Sequence, residues 1–493
     1  MLRRIFLFSS ALLVLFSCGW SPMETGAEPD QEQLYLPVVN TSPSPVYLPL
    51  VMTPWLDSSF GVEVNTLDDT AAMWAQEADT AWVRINGLQW IGYQPNNSTE
   101  FRADPALEKE LINANRIGAK TILIVHRTPL WAREYPDSVC GPIRSDKLGD
   151  FANFMQMVVQ KYSQPPYNVM YYELWNEPDH FLVRDNPDTT RDESNMPYGC
   201  WGDPQDKTFY GGGYYADVLK IITPAMKSIN PNIKIVLGGL LLDRDPSKPL
   251  DKYDESIRNM SHYFEGVLQA GGGPYFDVVN FHAYNYYSST TSPIQTEIEI
   301  PNWKDRGGQI EGKLEFLRQV MAQYNTSKPI ILSEAGLICA SCTIFPDKYQ
   351  QDKAEYVVWL YTRNWAKGLM ATTWYTIDRN GWRGTGMLDA QNNPLPAYYA
   401  FKTMTKTLYG TAFSREITPT AGVTAFEFIR GSKTWVLFSM DGTEKMVDTS
   451  QYGQVTEAFD MYGKICDGTT YCNINNGQLT FTRPVYLRFQ IGN

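Results

Sequence analysis

The sequence predicts an α/β fold, a (β/α)8 TIM barrel followed by a small C-terminal antiparallel β-domain. Three observations carry this reading. Between residues 60 and 377, eight short apolar segments alternate with longer stretches whose apolar residues recur at three- and four-residue spacing. Segments such as Thr121-Ile122-Leu123-Ile124-Val125 and Pro329-Ile330-Ile331-Leu332 are continuously apolar, as parallel strands covered on both faces must be. Past Leu408 the helical spacing fades and strand-like runs with turn dipeptides replace it. Eight β/α repeats suit a closed barrel with insertions, and an open doubly wound sheet is the alternative.

Four regions follow in order: an export signal over 1–18, a proline-rich tether over 19–54, the barrel over 55–408 and a β-sandwich-like domain over 409–493. In the first, Arg3 and Arg4 precede the apolar run Ile5–Phe16, which is too short to span a bilayer comfortably. Leu15-Phe16-Ser17-Cys18 resembles a bacterial lipobox, which makes Cys18 the lipid attachment point of an exported, surface-anchored chain. Ordinary secretion comes second and an uncleaved anchor third. The tether contains the near-repeat Leu34-Tyr35-Leu36-Pro37 and Val46-Tyr47-Leu48-Pro49, and its prolines predict an extended tether or an arm lying over a domain.

Barrel strands are expected at Phe60–Asn65, Ala81–Gly87, Lys120–Arg127, Val169–Glu177, Lys234–Leu241, Val278–Tyr284, Pro329–Gly336 and Ala371–Ile377. Helices fall at Pro105–Gly118, Asp146–Tyr162, Tyr214–Ile229, Ile257–Ala270, Gln309–Tyr324 and Asp352–Lys367, and the partly helical spacing of Trp359, Tyr361 and Trp365 reads as packing. In the C-terminal region Val423–Ile429, Thr434–Ser439, Gln454–Asp460 and Leu479–Phe489 are strand-like, with turns at Asp441-Gly442 and Gly463-Lys464.

Composition narrows the function. Forty-two basic against 54 acidic residues give a net charge of −12, so no basic surface is available for a phosphate backbone. Aromatic residues make up 13% of the chain and could fill a core or line a cleft that stacks on sugar faces. Setting Cys18 aside leaves six cysteines, which pair plausibly as Cys140–Cys200, Cys339–Cys342 and Cys466–Cys472 in an oxidising compartment. Cys339-Ala340-Ser341-Cys342 lacks a second such motif and a histidine cluster, so a disulfide is preferred there to zinc; no cofactor or metal is expected.

Barrel enzymes place chemistry at the C-terminal ends of their strands, and here those ends are polar: Arg84, His126-Arg127, Asn176-Glu177, His282-Ala283-Tyr284, Glu334 and Trp374. Trp175-Asn176-Glu177-Pro178 closes the fourth strand, and Leu332-Ser333-Glu334-Ala335-Gly336 places a carboxylate on a wholly apolar seventh. A buried Glu must be paired or keep its proton. Each residue also has a plain structural reading. Glu177 could be a loop-start acid, Glu334 a salt-bridged strand end, Arg84 the partner of a structural acid, His126 and His282 backbone-bonded, and Trp374 core.

On these residues the stretch from Phe60 to Leu408 resembles a clan A glycoside hydrolase, and the trailing β-domain is similar to that of several families in the clan, including the family 39 type. The resemblance implies that Glu177 is the general acid/base, Glu334 the nucleophile, and Asn176 a ligand of the sugar 2-hydroxyl. It places Arg84 and Tyr284 as supports of the nucleophile, and His126, His282 and Trp374 at substrate-contact positions. Physically, glycoside cleavage needs a proton on the leaving oxygen and negative charge beside an oxocarbenium-like carbon. Two carboxylates about 5–5.5 Å apart repel by roughly 3 kcal/mol at an effective dielectric of about 20, so one keeps its proton. The partner implied is an extracellular oligo- or polysaccharide; the rival reading is a non-catalytic carbohydrate-binding or surface-display protein built on the same barrel.

Overall fold

A computed structural model describes residues 34–38, 46–50, 58–180, 200–203, 205–248, 260–342, 345–468 and 471–490. The expected export signal, with Cys18, lies outside the described residues, as do residues 181–199 after the fourth expected strand. The chain forms two units, 1–51 and 52–493. In the first, Leu34–Val38 and Val46–Leu50 pair antiparallel, Leu34 opposite Leu50 and Val38 opposite Val46. Each strand has one neighbour, and such edge strands tolerate Pro37 and Pro49, which have no N–H to donate.

In the second unit the eight expected strands form a single parallel sheet. They are β1 (Phe60–Val64), β2 (Trp82–Gln89), β3 (Lys120–His126), β4 (Tyr171–Asn176), β5 (Lys234–Gly239), β6 (Val279–Tyr286), β7 (Ile330–Ile338) and β8 (Ala371–Trp374). β8 pairs with β1. Parallel bridges from Val236 to Val278 and from Leu240 to Phe281 join β5 to β6, so the ring closes and the open-sheet alternative fails. The longer helices are α1 (Asp69–Glu77), α2 (Pro105–Arg116), α3 (Leu148–Tyr162), α4 (Gly212–Ile229), α5 (His262–Gln269), α6 (Gln309–Gln323), α7 (Asp347–Ala366) and α8 (Pro396–Leu408). Sequence starts them locally: Asp104 caps α2 by accepting from the Ala106 N–H, with Pro105 in the first turn where no donor is missed.

The barrel interior is layered. Ala81, Trp82, Ile122, Val236, Val278, Ile331 and Ala371, near the strand starts, make an apolar floor. Two residues further along their strands, on the same face, come Arg84 after Trp82, Glu173 after Tyr171 and Ser333 after Ile331. The floor is apolar and the layer above it is polar.

The C-terminal strands are β9 (Ala412–Ile417), β10 (Val423–Arg430), β11 (Ser432–Ser439), β12 (Lys445–Asp448), β13 (Val455–Asp460), β14 (Cys472–Asn475), β15 (Gln478–Phe481) and β16 (Val485–Phe489). They form a five-stranded sheet, β9-β10-β11-β16-β13, and a three-stranded one, β12-β15-β14. Alternation along β10 gives the larger sheet two buried faces. Val423 and Ala425 join a core with Val447, Leu479 and Phe481 of the smaller sheet. Phe426 and Phe428 turn the other way, onto Trp359 and Trp365 of α7, at ring distances of 5.8 and 5.0 Å.

The expected single strand Leu479–Phe489 is two strands in different sheets. Pro484 cannot donate to a ladder, and at this corner Arg483 pairs with Asp352 of α7 at 2.8 Å and with Glu355. Both acids are buried, and burial pushes Glu355 up to about 7 against the pull of Arg483. Arg483→Met should therefore lower stability by about 3–5 kcal/mol, as expected when one partner of a buried ion pair is removed. Urea unfolding of the full chain would measure it, and a loss below about 1 kcal/mol would mean that the corner does not brace the barrel. The three expected cysteine pairs are formed, with Cα separations of 5.3 Å (Cys140–Cys200), 5.4 Å (Cys339–Cys342) and 4.8 Å (Cys466–Cys472).

Candidate active site

Arg84 organises the charged layer. Its Nη1 donates to Glu63 at 2.6 Å and to Glu334 at 2.8 Å, its Nε and Nη2 to Glu173 at 2.9 and 2.7 Å, and Nη2 also to Asn176 Oδ1 at 2.6 Å. One guanidinium thus serves three carboxyls. Glu63 and Glu173 are completely enclosed, whereas 14% of the Glu334 side chain remains exposed at the barrel mouth. Burial pushes the Glu63 carboxyl well above the usual range, only partly offset by Arg84, and pushes Glu173 up in the same way. Arg84 is held firmly in its charged form by the acids around it. Arg84 therefore pairs with two enclosed acids and reaches Glu334 as well. On its other oxygen Glu334 accepts the hydroxyl of Tyr284, whose own ionisation is suppressed by burial and by the Glu334 charge.

Glu177 has a different environment. Trp175 and Glu177 adopt left-handed φ values of 72° and 51° on either side of Asn176. This breaks the strand alternation, so that Asn176 meets Arg84 and Glu177 meets His282 over the same mouth, at a backbone strain of order 1–3 kcal/mol per residue. Glu177 Oε1 lies 2.9 Å from His282 Nδ1, and His282 Nε2 lies 3.1 Å from Ser333 Oγ. Burial, followed by the Glu334 charge, drives the Glu177 carboxyl well above the usual range. Burial, followed by Arg84 and Lys313, keeps His282 neutral. The consistent proton assignment has Nδ1–H donating to Oε1 and the Ser333 hydroxyl donating to Nε2. The proton of Glu177 then sits on Oε2, which is buried without a partner among the described residues.

Sequence reasoning missed the groups behind this pair. Glu63 and Glu173 were visible as acids inside apolar strands, in Val62-Glu63-Val64 and Tyr172-Glu173-Leu174. Lys313 occupies an apolar-face position of α6 between Ile310 and Leu317; it is buried and donates to the carbonyl of His282 at 2.8 Å. Asp179 accepts the N–H groups of Leu241 and Leu242 at 2.9 and 3.0 Å, which anchors the turn after Glu177.

The other predicted contacts divide. His126 ends β3 with its Nε2 buried and unpartnered among the described residues, and burial holds its pKa down at about 3, so it is a neutral imidazole. Trp374 is corrected: it has no exposed surface, and its indole N–H is donated to the Thr385 carbonyl at 2.7 Å, so it is core and not a floor for a sugar ring. Trp175 is also packing, with its N–H on the Cys140 carbonyl at 2.9 Å and its ring 4.7 Å from that of Trp201.

A carboxylate oxygen of Glu177, one of Glu334 and a ring nitrogen of His282 lie within 4.8 Å of one another. That spacing could hold a cation. Both His282 nitrogens are, however, engaged by Glu177 and Ser333, and a proton-holding Glu177 is a poor ligand, so the donor chemistry does not favour one.

No protein-family model and no curated protein matches the chain. Solved structures do match its fold. A family 39 glycoside hydrolase from Bacteroides cellulosilyticus superposes with a TM-score of 0.64 at 17% identity, covering 91% of this chain and 85% of that one. A family 30 subfamily 8 xylanase from Clostridium acetobutylicum gives 0.55 at 13%, covering 87% and 95%. A monomeric β-xylosidase from Caulobacter crescentus gives 0.51 at 14%, covering 78% and 74%. The chain has the barrel fold of these clan A glycoside hydrolases, and at identities this low the likeness is one of fold.

Proposed function

We propose that the protein is a retaining glycoside hydrolase, with Glu177 as general acid/base and Glu334 as nucleophile. The observation that carries this reading is the pair itself: two carboxyls with oxygens within 4.8 Å, one on an arginine and a tyrosine, the other buried against a neutral histidine. An inverting enzyme needs a water between its carboxyls and holds them about 6.5–9.5 Å apart. Glu334 attacks the anomeric carbon as Glu177 passes the proton on Oε2 to the leaving oxygen. Once Glu334 is esterified its charge is gone, the proton affinity of Glu177 falls, and Glu177 takes a proton from the incoming water. Asn176, fixed by Arg84, faces the same mouth and is assigned to a sugar hydroxyl. His126 stands as a neutral contact. A non-catalytic carbohydrate binder would not require two carboxyls in opposed states.

The test is a panel of aryl glycosides and polysaccharides, xylosides first because two of the solved structures above are named for xylan or xylosides, with the anomer of the first product read by NMR. Net retention supports the assignment and inversion sinks it. Export with a lipid on Cys18 belongs to the same proposal, supported by three cysteine pairs that suit an oxidising compartment. Labelling with a fatty-acid analogue, lost in Cys18→Ser, would test it.

The glycines of β5 give a second handle. A methyl group on Gly239 would overlap the His282 ring, and one on Gly238 would lie 2.6 Å from the Leu174 carbonyl. Gly239→Ala should displace His282, leave Glu177 Oε1 without its donor and lower kcat/KM on the order of a hundredfold, the scale of an ångström-sized misplacement. An unchanged rate would remove His282 from the mechanism.

A further inference from the structure

Beyond the reaction centre, the loop after β8 runs Arg379-Asn380-Gly381-Trp382-Arg383-Gly384-Thr385-Gly386 and carries four left-handed residues, Arg379, Gly381, Arg383 and Gly384, with φ values of 55°, 63°, 52° and 85°. Two of these are not glycine, and such strain persists only where surrounding structure enforces it. Here it does. Lys353 of α7, fully buried, donates to the carbonyls of Gly384 and Gly386 at 2.8 and 2.6 Å, and the Cys339 N–H donates to that of Arg383 at 3.1 Å. A methyl group on Gly384 would overlap the ring of Phe345.

The loop holds Trp382 in an unusual state. It is exposed, at 42%, alone among the described tryptophans. Trp82, Trp131, Trp175, Trp303 and Trp374 all donate their indole N–H to protein carbonyls, whereas the N–H of Trp382 has no acceptor among the described residues. Its ring stands edge-on to Tyr284, 5.4 Å between centroids, and the Arg383 guanidinium lies 4.7 Å over it. Tyr284 donates to Glu334, so Trp382 is one aromatic ring removed from that carboxylate. Tyr286, two residues beyond Tyr284 on the same strand face and 52% exposed, extends the aromatic line outward.

We propose that Trp382 is the platform of a second saccharide subsite, stacking on the pyranose ring next to the one that reacts and donating its N–H to a hydroxyl there. The proposal rests on the glycosidase reading and deepens it, since the substrate then has at least two sugar units. The test compares wild type with Trp382→Ala and Trp382→Phe on 4-nitrophenyl β-xyloside against β-xylobioside, and on β-glucoside against β-cellobioside. Tryptophan emission is titrated in parallel with xylotriose and cellotriose. Expected are a KM about tenfold higher for the disaccharide substrate in Trp382→Ala, less than a twofold change for the monosaccharide one, partial rescue by Phe, and loss of the saccharide-dependent emission change in both variants. Equal losses on both substrate lengths, or none on either, would overturn the platform. Wild type without turnover but with an emission change that depends on Trp382 would sink the glycosidase reading and keep the platform. No emission change and no chain-length effect would end it.

Discussion

Glu334→Gln should lower kcat on every substrate the wild type hydrolyses by about 10⁴–10⁶-fold, the range seen when a member of a nucleophilic constellation is deleted. The substitution preserves shape, so what it removes is a charge and the ability to form the glycosyl ester. Arg84 would then face two acids in place of three, and because Glu63 and Glu173 stay paired with it, the variant should fold. The variant also tests the electrostatic coupling directly. The Glu334 charge is the second cause, after burial, of the raised proton affinity of Glu177. Neutral Gln removes that contribution, so Glu177 must ionise at lower pH in the variant. In wild type the acid works while protonated, and activity should fall as pH rises through that raised pKa. Carbon-13 NMR of the Glu carboxyls reads both states. Wild-type activity in Glu334→Gln, or a Glu177 titration that does not move down, would refute the two-carboxylate assignment.

How much of this was legible in the sequence follows from what each signal depends on. The strands were, because parallel strands covered on both faces must be apolar, and all eight lie where the apolar runs are. Glu177 and Glu334 stood out, because an acid closing an apolar strand must be paired or keep its proton, and the fold brings the two to one mouth. The network behind them did not. Glu63 and Glu173 sit inside β1 and β4, and only the strand order and register of the folded sheet bring them to Arg84, 21 and 89 positions away in sequence. The tryptophans misled for a related reason. Trp374 lies at the end of β8 as a sugar contact would, but exposure is decided by the loop that returns over it, and Thr385 from that loop takes its N–H. The exposed indole belongs to Trp382, in a stretch of glycine and arginine without hydrophobic period. The break of Leu479–Phe489 was foreshadowed by Pro484, while the pull of Asp352 and Glu355 on Arg483 required the fold.

Glu177→Gln should produce the second large effect, and its dependence on leaving group separates an acid from a residue that merely binds. Oligosaccharides leave as poor alkoxides and need the proton, so their turnover should fall by about 10²–10⁴-fold. Dinitrophenyl glycosides leave unaided, so the first half-reaction should change little and the glycosyl ester on Glu334 should accumulate, because no base remains to activate water. A burst of dinitrophenol followed by slow turnover would record this. Azide needs no base. It can attack the anomeric carbon of the ester directly and expel Glu334 as the carboxylate, so it should restore turnover and yield a glycosyl azide with the starting configuration. The alkaline limb of the pH profile should vanish as well, since it reports loss of the proton that Glu177 holds by virtue of burial and of its neighbour's charge. His282 gives the control. A neutral imidazole whose Nδ1–H points at position 177 can donate to the Gln carbonyl as it does to Oε1, so the variant keeps its geometry while losing its proton. A uniform loss across leaving groups, with no burst and no azide product, would therefore mean that Glu177 positions substrate, and that the acid must be sought elsewhere at the same mouth.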